Sequence, residues 1–214
     1  PDTVELADRS GRMAWQERDD AVAYVGSLTL DRGVEEMVEA VGLAAGKTRV
    51  RFLLAGDFVS RDDEKKVRML PGWKYVDFQG RTSRTETAAL LGRAKAGLVV
   101  CRPQSNYMRA YPTKLFEYMA AGIPVVASDF PLWRGIVGSS GCGIMVDPLD
   151  TEAVSGAVVR LLEHPREAEE MGRRGREAVL DRYNWDNEEK TLLELYEALG
   201  RERKSPRPAV IEKT

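Results

Sequence analysis

The sequence predicts an α/β protein, a doubly wound parallel sheet of about six strands with helices on both faces. Two observations carry that expectation. From Ala21 onward, short apolar runs alternate with longer amphipathic ones. Each strand-like run is followed by a helix-like run, which calls for parallel neighbours covered by their crossover helices. A chain of 214 residues, 43% hydrophobic and 31% charged, suits one large globular domain or one domain with appendages.

Taken in order, the polar and unpatterned PDTVELADRSGRMAWQERDD reads as a linker over residues 1–20 and suggests a fragment or processed product. AVAYVG is the first strand and VEEMVEAVGLA the first helix. VRFLLAG and KYVDFQG are strands that bracket the charged helix DDEKKVRML, and TETAALLGRA is a helix before the strand GLVVC. In YPTKLFEYMAAGIPVVASD, Tyr111-Pro112 disfavours helix before the proline, so a helix starts near Thr113. Gly122 and Pro124 end it, and IPVVAS follows as a strand. LWRGIVG is a short helix, GIMV the last strand, and the helices TEAVSGAVVRLLE, EAEEMGRRGREAVL and NEEKTLLELYEAL complete a domain over residues 21–200. Charge and two prolines make residues 201–214 a disordered tail.

Ligands of open α/β sheets bind at the carboxyl ends of the strands, where the strand order reverses. Here those ends are Gly26, Gly56, Gly80, Cys101 and Ser128. The turn YVGSLTLDRG lacks the further glycines of G-x-G-x-x-G and the Gly-Lys-Ser/Thr of a P-loop, so it is a different phosphate loop or none. Arg32, beside Gly33, can aim its fork at a phosphate; the plain alternative is a solvated arginine next to a turn glycine. On the 113 helix, Leu115, Tyr118 and Met119 share one apolar face extended by Phe116 and Ala120, leaving Lys114 and Glu117 on the remaining strip. Near that helix start, free N–H groups and the dipole can receive a phosphate. Glu117 can equally be a first-turn acid that pairs with Lys114.

Other features exclude more than they propose. Lys and Arg number 32 against 34 for Asp and Glu, so the net charge of −2 gives no general reason to expect nucleic acid. No run approaches the roughly 18 apolar residues of a membrane span. Cys101 and Cys142 lack metal-ligand spacing and read as reduced, buried thiols of a cytosolic protein. GSSGCG is a flexible turn, and His164, the one histidine, is a helix-end cap rather than a base. With no Ser/His/Asp set and no clustered ligands, no metal is expected, and chemistry must rest on positioning and electrostatics or be completed by another polypeptide segment.

YVGSLTLDRG, PTKLFEYMAAGIPVVASDFPLWRGIV and CGIMVDPLDTEAV together resemble the C-terminal, donor-binding half of retaining glycosyltransferases of family four, over roughly residues 21–199. The resemblance implies a Rossmann-like domain, one half of a GT-B fold, that binds a UDP, GDP or ADP sugar. The acceptor would sit on an N-terminal domain, without which the chain transfers nothing. It also implies roles by position. Glu117 matches the second acid of Glu-x7-Glu, which holds the ribose. Thr113, Lys114 and Leu115 match the helix start whose N–H groups meet the phosphates. Arg32 matches a basic residue on the diphosphate, Gly26 the glycine beneath it, and Gly80, Arg81 and Thr82 the place of the base. Arg32 and Lys114 would stabilise the leaving nucleoside diphosphate, making a metal unnecessary. Tyr183-Asn184-Trp185 matches a closing helix that crosses to the N-terminal half. Two positions depart: Arg109 stands where the first acid would fall, and Ser27 where the family has arginine. Arg109 is then available to phosphate or to an acidic sugar. The resemblance implies a cytoplasmic enzyme, at most peripheral to the membrane face. The alternatives on this architecture are a nucleotide-sugar epimerase or hydrolase, which would want more acids and histidines, and a non-catalytic nucleotide-binding module.

Overall fold

The computed structural model describes residues 13–204, with side chains as far as Leu199. Six parallel strands form one sheet: β1 (Ala21–Val25), β2 (Arg51–Ala55), β3 (Val76–Gly80), β4 (Ala96–Val99), β5 (Val125–Ser128) and β6 (Gly143–Val146). Their order is β3-β2-β1-β4-β5-β6, so the winding reverses between β1 and β4. This is the expected doubly wound, Rossmann-like sheet.

The helices are α1 (Val34–Ala44), α2 (Arg61–Arg68), α3 (Arg84–Arg93), α4 (Ser105–Met108), α5 (Thr113–Ala120), α6 (Pro131–Ser140), α7 (Thr151–Glu163), α8 (Pro165–Asp181) and α9 (Trp185–Lys204). Right-handed crossovers that run in opposite directions from the reversal put α1 and α5 on opposite faces. On one face α1 packs on α7, and on the other α5 packs on α8. The sheet core between them includes Val22, Phe52, Leu54, Leu98 and Val126, all with no exposed surface.

Local rules set most boundaries. The side chains of Ser60, Ser83 and Asp150 accept the N–H of Asp63, Glu86 and Ala153, capping α2, α3 and α7. Helix α5 has Pro112 in that position and no side-chain cap. His164 ends α7, its Nδ1 3.0 Å from the carbonyl of Arg160.

Three expectations change. The segment between β4 and Thr113, for which the sequence pattern predicts no element, contains the short helix α4. Of the expected linker, residues 13–20 dock on the domain: Trp15 is buried, and the buried Arg18 donates from Nη1 to the Ala94 carbonyl (3.0 Å) and from Nη2 to the Ala121 carbonyl (3.3 Å). These carbonyls follow the ends of α3 and α5, where unpaired acceptors collect, so an arginine is held there by its donors despite burial. Of the expected tail, 201–204 continue α9. Residues 1–12 and 205–214 of the expected linker and tail lie outside the described residues. Among the described residues no helix is long and apolar enough to cross a membrane.

Candidate functional site

The candidate site lies where β1 and β4 part. Their pairing ends at Ala23 and Gly97. The next N–H of β1 that faces β4, that of Val25, donates to the Tyr118 hydroxyl at 3.2 Å. Tyr118 is fully buried on α5 and lies flat over β4, where a Cβ on Gly97 would come within 2.2 Å of its ring. One side chain thus replaces a missing strand and seats α5 against the reversal.

Above it, the chain turns at Gly26. Its φ of +142° belongs to glycine, and a Cβ there would stand 2.4 Å from Cε and Nζ of Lys114. Its N–H donates to the Ala55 carbonyl, and its own carbonyl packs directly on Gly56. The ammonium of Lys114 lies 5.6 Å above the Tyr24 ring, and no ion pair joins it to Glu117 among the described residues. The expected alternative, a Lys114–Glu117 pair on the helix surface, is therefore not formed. Lys114 turns inward because Gly26 leaves it room.

Arg32 ends a short turn, Leu30–Arg32, that leads into α1. Gly33 then takes φ +70°, with the Val100 carbonyl so close that a Cβ would meet it at 1.7 Å. Burial weakens the Arg32 guanidinium's hold on its proton, but the Tyr107 and Tyr24 hydroxyls lie against it and more than offset that. The neighbouring Lys114 has its pKa lowered, first by burial and then by the positive charge of Arg32. Among the described residues neither cation forms an ion pair. Two positive charges without ion pairs thus lie together at the strand-order reversal, an arrangement suited to an anion.

Helix α5 adds to it. The N–H of Leu115 is already used, donating to the Pro112 carbonyl at 3.1 Å. Its side chain is fully buried. The resemblance implies that Leu115 offers its N–H to a phosphate, and in this structure that N–H is bonded within the first turn. Those of Thr113 and Lys114 remain at an uncapped helix start. Glu117 is half-buried one turn along the same helix.

The other expected residues are spread more widely. Ser27 is exposed, and its carbonyl accepts from the Tyr24 hydroxyl at 3.1 Å. Gly80 (φ +63°) accepts the Gly56 N–H at 2.7 Å and stands at the end of the edge strand β3, with Arg81 exposed beyond it and Thr82 Oγ1 3.0 Å from Thr87 Oγ1. Strand β2 separates this group from the cations. Arg109 is exposed at the end of α4. Cys101 is buried just behind the cations, and burial pushes its thiol up to about 11. A groove of about 850 Å³ runs between the start of α5, α6 and the junction of α8 with α9, lined by Tyr111, Thr113, Phe116, Ile136, Tyr183 and Trp185. It touches the cation site only through Thr113. Sequence reasoning missed Tyr24, Tyr107 and Tyr118; the one signal for Tyr24 was a phenol in an otherwise aliphatic strand.

A family model described as glycosyl transferases group 1 matches residues 9–178. The phosphatidyl-myo-inositol mannosyltransferase of Mycobacterium leprae is 32% identical over 172 residues, covering 79% of this chain and 44% of that protein. The MMP alpha-(1->4)-mannosyltransferase of Mycolicibacterium hassiacum is 27% identical over 198 residues, 92% of this chain and 46% of its own length. The chain thus spans about half the length of these relatives. Among solved structures, sucrose-phosphate synthase from Thermosynechococcus elongatus superposes with a TM-score of 0.72 at 26% identity, covering 92% of this chain and 49% of that one. Anabaena HepE in complex with UDP and glucose shares the fold, with a TM-score of 0.73 at 16% identity over 92% of this chain and 52% of its own. On the family match and the fold, this chain belongs to the group 1 glycosyl transferases, and its Rossmann-like sheet is of the kind found in GT-B glycosyltransferases.

Proposed function

We propose that this chain is the donor-binding half of a retaining glycosyltransferase of family four, one that moves a hexosyl group from a nucleoside diphosphate sugar to a glycan, lipid or other acceptor. The observation that carries the reading is the convergence of Arg32 and Lys114 on Tyr24, with Lys114 over Gly26 and neither cation in an ion pair among the described residues, beside the uncapped start of α5. A diphosphate placed there would relieve the repulsion between the cations and take up the free N–H groups of Thr113 and Lys114. Glu117 would face the ribose, and Gly80, Arg81 and Thr82 the base two strands away. HepE, which shares the fold, is in complex with UDP, and that supports a nucleotide as the ligand class.

In the reaction the sugar's anomeric bond to the β-phosphate breaks, and charge grows on the departing diphosphate. Arg32, Lys114 and the α5 start stand where that charge would develop, so electrostatic stabilisation needs no metal. The acceptor would be held by an N-terminal half, so this chain alone would bind donor and transfer nothing. The intact enzyme would be cytoplasmic, at most peripheral to the membrane face.

Thermal stabilisation by UDP, GDP and ADP and their sugars tests the reading. A site filled at a hundredfold excess over its dissociation constant stabilises by about 2.7 kcal/mol. The expected outcome is a shift with one base that is lost in Arg32→Ala and Glu117→Ala. No shift with any of them, in a folded sample, overturns it.

A further inference from the structure

Residues 100–112 join β4 to α5 and carry Tyr107 to the Arg32 guanidinium. Arg102 ties this segment down. Its backbone N–H donates to the Asp31 carbonyl at 2.9 Å. Its side chain reaches the first turn of α1, with Nε 2.6 Å from Glu36 Oε1 and Nη2 2.9 Å from Glu35 Oε2. Gln104 adds a bond from Nε2 to Asp31 Oδ1 at 2.6 Å. At the far end of the segment, Trp133 Nε1 donates to the Ala110 carbonyl at 2.8 Å.

Stability alone is a poor reason for this arrangement. The Glu36 side chain is only 8% exposed, and its second oxygen, Oε2, has no partner. Burying the Glu36 carboxylate costs about as much as its attraction to the partly exposed Arg102 guanidinium returns. What a two-carboxylate grip on a planar fork does supply is direction. The residues gripped lie on both sides of Arg32 in the chain: Asp31 before it, Glu35 and Glu36 after it.

We propose that Arg102 is the positioning residue of the anion site, fixing where Arg32 points by clamping the Leu30–Arg32 turn and the first turn of α1 to the segment that bears Tyr107. The ligand class rests on the diphosphate reading above; the clamp itself does not. Arg102 is not a catalytic residue, since it acts through Arg32 and is turned toward the helix.

Two measurements on the full chain test it. In the first, dissociation constants for UDP, GDP and ADP are compared in wild type, Arg102→Met, Arg32→Ala and the double variant. Acting through a neighbour, the Arg102 change should weaken the favoured nucleotide roughly three- to tenfold. Added to Arg32→Ala it should cost nothing further, because the residue it positions is gone. Equal losses in both backgrounds would reduce Arg102 to a general stabiliser and overturn the proposal. In the second, the guanidinium N–H signals of Arg32, identified by their absence in Arg32→Ala, are followed by NMR without ligand. They should shift and broaden in Arg102→Met; sharp, unmoved signals overturn the proposal even if no nucleotide binds. Should Arg102→Met fail to fold, Glu36→Gln keeps the volume, loosens the same grip and should move both readouts in the same direction.

Discussion

Helices α5 and α9 carry nearly the same apolar signature and meet opposite fates. On α5, Leu115, Tyr118 and Met119 have no exposed surface. On α9, Leu192, Leu195, Tyr196 and Leu199 recur at similar spacing, yet are 41%, 55%, 66% and 48% exposed. Periodicity states that a helix has an apolar face; it does not state that the described chain supplies the partner. Helix α5 has two partners, the β4–β5 surface and α8, whose Gly172 and Gly175 let the helices approach until a Cβ on Gly172 would meet the Gly122 carbonyl at 2.2 Å. The site inherits that rigidity, because Lys114 and Glu117 ride on α5.

The sharpest way to break the comparison is Gly97→Val, which forces a side chain into the Tyr118 ring. Overpacking there should cost about 3 kcal/mol in chemical denaturation. Next, Tyr118→Phe keeps the ring but strips the Val25 N–H of its acceptor, and should cost about 1 to 2 kcal/mol. If either change were neutral, α5 would not be seated as its burial implies. The counterpart on α9, Leu192→Ala with Leu195→Ala, should move the stability of this chain by no more than about 0.5 kcal/mol. A loss as large as that of Gly97→Val would mean that α9 is packed in solution and that the contrast fails.

Lys114 sharpens the comparison in the opposite sense, since it stands on the well-seated helix but is itself at odds with its surroundings. Burial and Arg32 lower its pKa from the ordinary 10.5. Below the lowered value the ammonium is charged in both folded and unfolded chains, and the folded chain bears the full cost. Between that value and 10.5 the folded chain has lost the proton while the unfolded chain keeps it, so stability rises with pH, and above 10.5 the cost is gone. Lys114→Met should therefore be at least as stable as wild type near neutrality, with the gap closing as the pH rises through the alkaline range. The same variant should lose the stabilisation by a nucleoside diphosphate. A variant that is less stable at neutral pH, or that binds as wild type does, would remove Lys114 from the site.

Much of this was legible in the sequence. All six strands fall within the runs read as strands, although β2 (RFLLA) has no β-branched residue and β3 (VDFQG) is partly polar, and Pro112 with Gly122 bounded α5 because neither the residue before a proline nor a left-handed glycine continues a helix. Gly26, Arg32 and Lys114 could be named in advance, but on the family resemblance; local pattern alone left a turn glycine, a solvated arginine and a Lys114–Glu117 pair as equal readings. Tyr107 and Arg102 could not be, because their roles depend on a loop folding back over a turn some seventy residues earlier in the chain. The docking of Trp15 and Arg18 was hidden for the same reason. Nothing local to that polar segment reports that the carbonyls after α3 and α5 await a donor.

By itself the sequence determined the parallel sheet, the helix limits and the residue types able to hold an anion, because these follow from side-chain period, turn chemistry and charge within a few residues. Only the tertiary structure decided that Lys114 turns inward over Gly26 rather than pairing with Glu117, and that Tyr118 replaces the strand missing beyond Ala23. It alone left α9 exposed while burying α5. Each of these depends on which surfaces meet across the reversal of strand order, and that meeting joins residues too far apart in the chain for any local pattern to encode.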